Sequence, residues 1–257
     1  MLDGHDGDAF VVRSPVAPLN GEPRVSSGQV SQLLSGHAVA LLERDVTGEW
    51  CRVRGGDGYE GWVHRGYLIM PAARSGLFTT LSLGARVEGP YGPRDLPLGA
   101  LLLPGEMVVS GDSVDASELV TRFPPEASAI LESASSYFSG ASYQWGGVTP
   151  WGCDCSGFVQ TLFALHGVAL PRDAWQQAMV GTEVAVDPDS GAPGDLLFFS
   201  DRDDGRITHV ALRTGGDGIL HVAIGRGGMS RDSLGDGEGY LTRLRSQLRA
   251  ARRVLHD

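Results

Sequence analysis

The chain has 257 residues, 42% of them hydrophobic and 20% charged, a composition that excludes disordered and fibrous architectures. That length exceeds a single domain of roughly 100 to 150 residues, so more than one folding unit is expected. A net charge of -10 and a pI near 5.1 work against phosphate-backbone binding, which needs clustered Lys and Arg, and nucleic acid is not expected as a partner.

The 37 glycines and 14 prolines, with few long helical patterns before Pro124, give the first half of the chain an all-β character. Short apolar stretches at Ala38–Leu42, Trp50–Val53 and Gly61–Val63 are separated by Thr47-Gly48-Glu49 and Asp57-Gly58-Tyr59 turns, the pattern of a small barrel. A second set of short strands is expected between Leu77 and Leu119, including Gly84–Val87 and Leu96–Leu103, as a diverged second copy.

The character changes at Phe123-Pro124-Pro125, after which Ile130, Leu131, Ala134, Tyr137 and Phe138 follow helical spacing. A second, buried helix is predicted from Cys155 to about His166, ended by Gly167. Strands are predicted at Asp195–Phe199, His209–Leu212 and Ile219–Ala223, the last two joined as a hairpin through Gly215-Gly216-Asp217-Gly218. Leu241, Leu244 and Leu248 have helical spacing, and Arg253-Val254-Leu255 is expected to close the sheet as a final strand. The acidic runs Asp201–Asp204 and Asp232–Glu238 are expected to be solvated loops near the mouth of the site.

Three cysteines cannot all pair, and Cys153 and Cys155 stand too close together for an unstrained disulfide, so no disulfide framework is expected. The first ten residues lack the basic and apolar regions of a secretory signal. No run of about 18 apolar residues occurs, and a cytoplasmic protein without membrane partners is the expectation.

The chemistry concentrates in Gly152-Cys153-Asp154-Cys155-Ser156-Gly157-Phe158-Val159, preceded by Tyr143-Gln144-Trp145-Gly146-Gly147. Cys155 would stand at a helix start, where unpaired N–H groups and the helix dipole favour a thiolate and lower its pKa. A hairpin would bring His209 and His221 beside it, giving a Cys-His-His triad. His209 would act as general base and acid, and His221 would accept its ring N–H and fix its tautomer. A zinc site built from Cys153, Cys155, His209 and His221 lacks the usual C-x₂₋₄-C spacing, and no metal or other cofactor is expected. Cys153 is expected to be filler.

These motifs resemble those of the NlpC-type cell-wall peptidases, a papain-like family, and Asp57-Gly58-Tyr59-Glu60-Gly61-Trp62-Val63 resembles the signature of bacterial SH3-like domains. The implied fold class is α+β, with SH3-like barrels at 1–71 and 72–122 before a papain-like catalytic domain at 123–257. With Pro171-Arg172-Asp173-Ala174 after the helix, the chain is most similar to the YkfC-like branch of γ-D-glutamyl-diamino-acid endopeptidases, whose usual Ser is replaced here by Ala174. The resemblance implies cleavage of small murein peptides with a free N-terminal L-Ala; a monomer is expected. It places Tyr143, Asp154, Ser156, Arg172 and Asp173 around the substrate, with Glu60 as the candidate acid from the first barrel. An amidase or acyltransferase on another amide, and a degenerate wall-binding module, are the alternatives.

Overall fold

A computed structural model describes residues 9–70 and 79–255, and the chain divides between Glu118 and Leu119 into two compact units. In the first unit seven strands form one sheet: β1 (Ala9–Val12), β2 (Val16–Asn20), β3 (Gln29–Leu34), β4 (Ala38–Arg44), β5 (Trp50–Arg54), β6 (Glu60–His64) and β7 (Leu68–Ile69), in the order β3-β2-β6-β5-β4-β1-β7. Alternate residues point inward, as a two-residue period requires, and Phe10, Val12, Ala17, Leu19, Val39, Leu41, Cys51, Val53 and Val63 make the core. The strands expected near residues 38, 50 and 61 are all present. Gly48 and Gly58, with φ of 70° and 80°, sit in the turns between them.

Among the described residues five further strands belong to this unit: β8 (Thr80–Ser82), β9 (Arg86–Glu88), β10 (Arg94–Asp95), β11 (Met107–Ser110) and β12 (Ser113–Asp115), paired as β10-β9-β11 and β12-β8. The expected strand at Leu96–Leu103 is instead a loop. Pro97 lacks an N–H for a ladder, its carbonyl accepts from Ala100 N, and Gly99 takes φ 87°. Its apolar residues still serve the core, with Leu96, Leu98, Ala100 and Leu103 buried. The segment is tied to the first sheet by Leu101 N donating to Ser35 O and by Arg94, which bonds Ser35 Oγ at 2.9 Å and pairs with Glu106 at 2.7 Å. The start of the second copy, at 72–78, lies outside the described residues.

The second unit contains α1 (Leu119–Arg122), α2 (Ala127–Phe138), the short pair β13 (Val148–Thr149) and β14 (Gly152–Cys153), then α3 (Cys155–Leu165) and α4 (Ala174–Gln177). Its antiparallel sheet is built from β15 (Thr182–Glu183), β16 (Leu196–Phe199), β17 (His209–Gly215), β18 (Gly218–Ala223), β19 (Gly228–Ser233) and β20 (Leu248–Arg253), with α5 (Gly239–Ser246) before the last strand. The order is β15-β20-β16-β17-β18-β19, so the last strand lies inside the sheet and starts at Leu248. This corrects the expectation of a closing strand at residues 253–255. Both alternating sets on β16 and β18 are buried, so the sheet is covered on two faces. Leu241 and Leu244 of α5 pack with Leu197, Phe199, Ala211 and Ile219. Helix α3 packs on β17 and β18, and meets α2 through an edge-to-face pair of Phe138 and Phe158 with centroids 5.0 Å apart.

Candidate active site

Cys155 is the first residue of α3, and Asp154 caps that helix by accepting from Gly157 N at 2.8 Å. The helix start nests against the preceding glycine turn. A Cβ on Gly157 would lie 2.0 Å from Gly147 O, and one on Gly147 would lie 2.3 Å from Gly152 O, so only glycine allows these backbones to approach. The Asp154 carboxylate also accepts from Gly146 N at 2.8 Å, Ser156 Oγ at 3.2 Å, and Arg172 Nη1 and Nη2 at 3.0 and 2.7 Å. Asp154 is 6% exposed and Arg172 2%. Arg172 therefore makes a buried, two-pronged pair with Asp154, and the neighbouring Asp173 has a different task. It caps α4 through a capping box with Gln176 and accepts from Trp175 Nε1 at 3.2 Å.

The hairpin of β17 and β18 joins the two histidines. His209 Nε2 and His221 Nδ1 are 2.8 Å apart, with ring centroids at 5.1 Å. Behind them, His221 Nε2 lies 2.9 Å from Asp232 Oδ2 on β19. Arg226 donates to both oxygens of Asp232 at 3.0 Å and grips Glu238 at 3.0 and 2.6 Å, while Tyr240 of α5 covers its guanidinium at 4.7 Å. Asp232 is thus not part of a solvated loop: its side chain is 11% exposed and engaged on both oxygens. Sequence reasoning missed it because an acidic residue in an acidic run carries no sign of its partner. The one available signal was its place opposite the hairpin strand that carries His221.

Burial pushes the Cys155 thiol up to about 12, the charge of Asp154 adds to this, and N–H groups of Val210 and Ser156 directed at the sulfur act against it. Burial, with His221 alongside, pushes His209 down to about 3. Desolvation thus works against the thiolate expected at the helix start, and it works against a charged imidazole on His209 as well. Tyr143 is pushed up to about 12 by burial and by the nearby Cys155, so its phenol stays protonated and can donate. Asp232, bonded to His221 and Arg226, is held down to about 2 and is ionised at neutral pH.

Cys155, His209 and His221 share this unit with Tyr143, Asp154, Ser156, Arg172 and Asp173. Glu60 belongs to the other unit, on β6, where Arg52 and Arg54 hold its carboxylate at 3.0 and 2.7 Å. Gln177, not anticipated, bonds Ser156 O at 3.0 Å and Pro171 O at 2.8 Å, tying α4 to the start of α3. Among the described residues no group of three or more His, Cys, Asp or Glu could hold a metal, and no helix is long and apolar enough to cross a membrane.

Residues 140–248 match the NlpC/P60 family and residues 21–69 the bacterial SH3 domain. A gamma-D-glutamyl-L-lysine dipeptidyl-peptidase of Bacillus subtilis (strain 168) is 46% identical over 86 residues, covering 33% of this chain and 28% of that protein. The chain thus spans under a third of that relative's length. Dipeptidyl-peptidase 6 of Lysinibacillus sphaericus is 25% identical over 257 residues, covering 87% of this chain and 91% of the relative. The crystal structure of an NlpC/P60 family protein from Bacillus cereus ATCC 10987 superposes with a TM-score of 0.80 at 20% identity, over 97% of this chain and all of that one, and shows a shared fold.

Proposed function

From a chain that carries an NlpC/P60 domain preceded by a bacterial SH3 domain, we propose a cysteine peptidase that hydrolyses the γ-D-glutamyl–diamino-acid bond of small murein peptides with a free N-terminal L-Ala, as part of peptide recycling in the cytoplasm. The observation that carries this reading is a buried thiol at the start of α3, a helix packed on the hairpin whose two histidines are hydrogen-bonded to each other. The bond class is supported by the name of the Bacillus subtilis relative.

The chemistry begins with transfer of the Cys155 proton to Nδ1 of His209, the ring nitrogen not engaged with His221. The sulfur attacks the amide carbon, and the oxyanion takes hydrogen bonds from the Cys155 N–H and from the protonated Tyr143. His209 then returns its proton to the leaving amine. A thioester remains, and water activated by the same imidazole hydrolyses it. Burial disfavours separated charge on both groups, so donors aimed at the developing oxyanion stabilise the charge that the reaction creates.

Substrate positioning is assigned to Tyr143, Asp154, Ser156, Arg172 and Asp173, with Glu60 as a further acid. Asp154 is already neutralised by Arg172, so its part in meeting a substrate ammonium is to orient Ser156 and the helix start. The test is incubation with L-Ala-γ-D-Glu-diaminopimelate and its N-acetylated form, with products followed by mass spectrometry and Cys155→Ala as control. Cleavage of the free-amine peptide alone, abolished in the variant, is the expected result. Cleavage of neither peptide moves the reading to another amide, and equal cleavage of both removes amine recognition.

A further inference from the structure

We infer that Asp232 is a positioning residue of the catalytic chain, which acts through His221 to place the free electron pair of His209 on Nδ1. The inference rests on the cysteine-peptidase reading and deepens it. It follows from counting protons along four hydrogen bonds. Both oxygens of Asp232 accept from Arg226, so this group is an ionised acceptor. Across 2.9 Å, His221 must donate to it from Nε2, which leaves His221 Nδ1 as an acceptor. Across 2.8 Å, His209 must then donate from Nε2, and its Nδ1 is left bare. One carboxylate thereby fixes the tautomers of two rings in series, and that of His209 is the one able to take the Cys155 proton.

Charge reinforces geometry. Arg226 alone would cancel Asp232, but Glu238 also pairs with Arg226, so the three groups keep one net negative charge behind His221. That charge favours the imidazolium formed when His209 takes the proton, and Tyr240 of α5 stacks over Arg226 at 4.7 Å. Asp154, Arg172, Tyr143, Cys153 and Tyr240 also interact electrostatically with the Cys155 sulfur or its neighbours. Replacing Asp232 by Asn removes the charge. It also sets an N–H either against Arg226 or against His221, and the second orientation reverses both ring tautomers. The analogous Asp→Asn change in the serine-protease triad costs about 10⁴ in kcat by the wrong tautomer, and that figure is an upper bound for a carboxylate one ring further away.

The experiment compares wild type, Asp232→Asn, Asp232→Glu and Glu238→Gln in the full chain by three readouts. The first is ¹⁵N NMR of the imidazoles at pH 7: His209 and His221 are both expected protonated on Nε2 in the wild type. Protonation of either ring on Nδ1 alone overturns the inference without recourse to any variant. The second is the rate of Cys155 alkylation by iodoacetamide against pH, which needs no peptide substrate. Asp232→Asn should be at least about tenfold slower at pH 7, Glu238→Gln two- to threefold slower, and Asp232→Glu partly restored. The third is peptide cleavage, where kcat should fall about 10²-fold with KM within about threefold. Unchanged alkylation in Asp232→Asn, with melting temperature preserved, also overturns it. If the NMR and alkylation results hold but no peptide is cut by the wild type, the Asp232 relay stands and the peptidase reading falls.

Discussion

Glu60 and Asp154 are both carboxylates expected to meet a substrate amine, and both are paired with arginine, yet their settings differ. Glu60 projects from a barrel strand with its side chain 31% exposed, between Arg52 and Arg54, which are themselves 44% and 53% exposed. Asp154 is enclosed, bound by one guanidinium, one hydroxyl and two backbone amides. Water screens the first set, which is free to exchange an arginine for a ligand at little cost. The second has no alternative partner, so it serves as scaffold for the helix start that presents Cys155.

Breaking the buried pair should therefore have the largest effect. Arg172→Ala leaves Asp154 enclosed and unpaired, and a loss of about 3–5 kcal/mol in stability is expected by urea unfolding. A loss within the range of an exposed pair would erase the distinction. Next in size is Gly157→Ala, whose Cβ would meet Gly147 O at 2.0 Å. It should cost about 1–3 kcal/mol and at least tenfold in kcat as the helix start moves from the hairpin, read by unfolding and by cleavage kinetics.

The titration of His209 sharpens the comparison from another side. Burial and His221 hold its folded pKa down to about 3, below the 6.5 of an unfolded histidine, so between these values the unfolded chain binds the proton and the folded one does not. Stability should fall as pH drops from about 6.5 towards 3, and His209→Gln should remove part of that slope in unfolding curves taken at successive pH values. An identical slope in both proteins would contradict the burial of a neutral ring. Smallest is Glu60→Gln. Its melting temperature should match the wild type, while KM for the free-amine peptide rises and that for the acetylated peptide does not. A matching rise in both would end the assignment of Glu60 to amine recognition.

Much of the candidate site was legible because it is local. Asp154-Cys155-Ser156-Gly157 sets a cap, a nucleophile and a close-approach glycine in consecutive positions, and His209 and His221 flank a turn whose glycines announce a hairpin. The strands of the first barrel were legible for the same reason, through two-residue alternation between turns. The run Leu96–Leu103 misled because hydrophobicity reports burial and not backbone state. Its leucines are buried, but Pro97 and Gly99 shape a loop.

Sequence by itself determined which elements hold the candidate site residues, since caps, turns and periodicity act within a few residues. Tertiary structure alone decided the state of those groups. Arg172 chose Asp154 over the adjacent Asp173, Asp232 reached His221 from a neighbouring strand, and enclosure raised the thiol that the helix dipole alone would have lowered. Desolvation and long-range pairing depend on what surrounds a group in space, and a linear pattern does not contain that information.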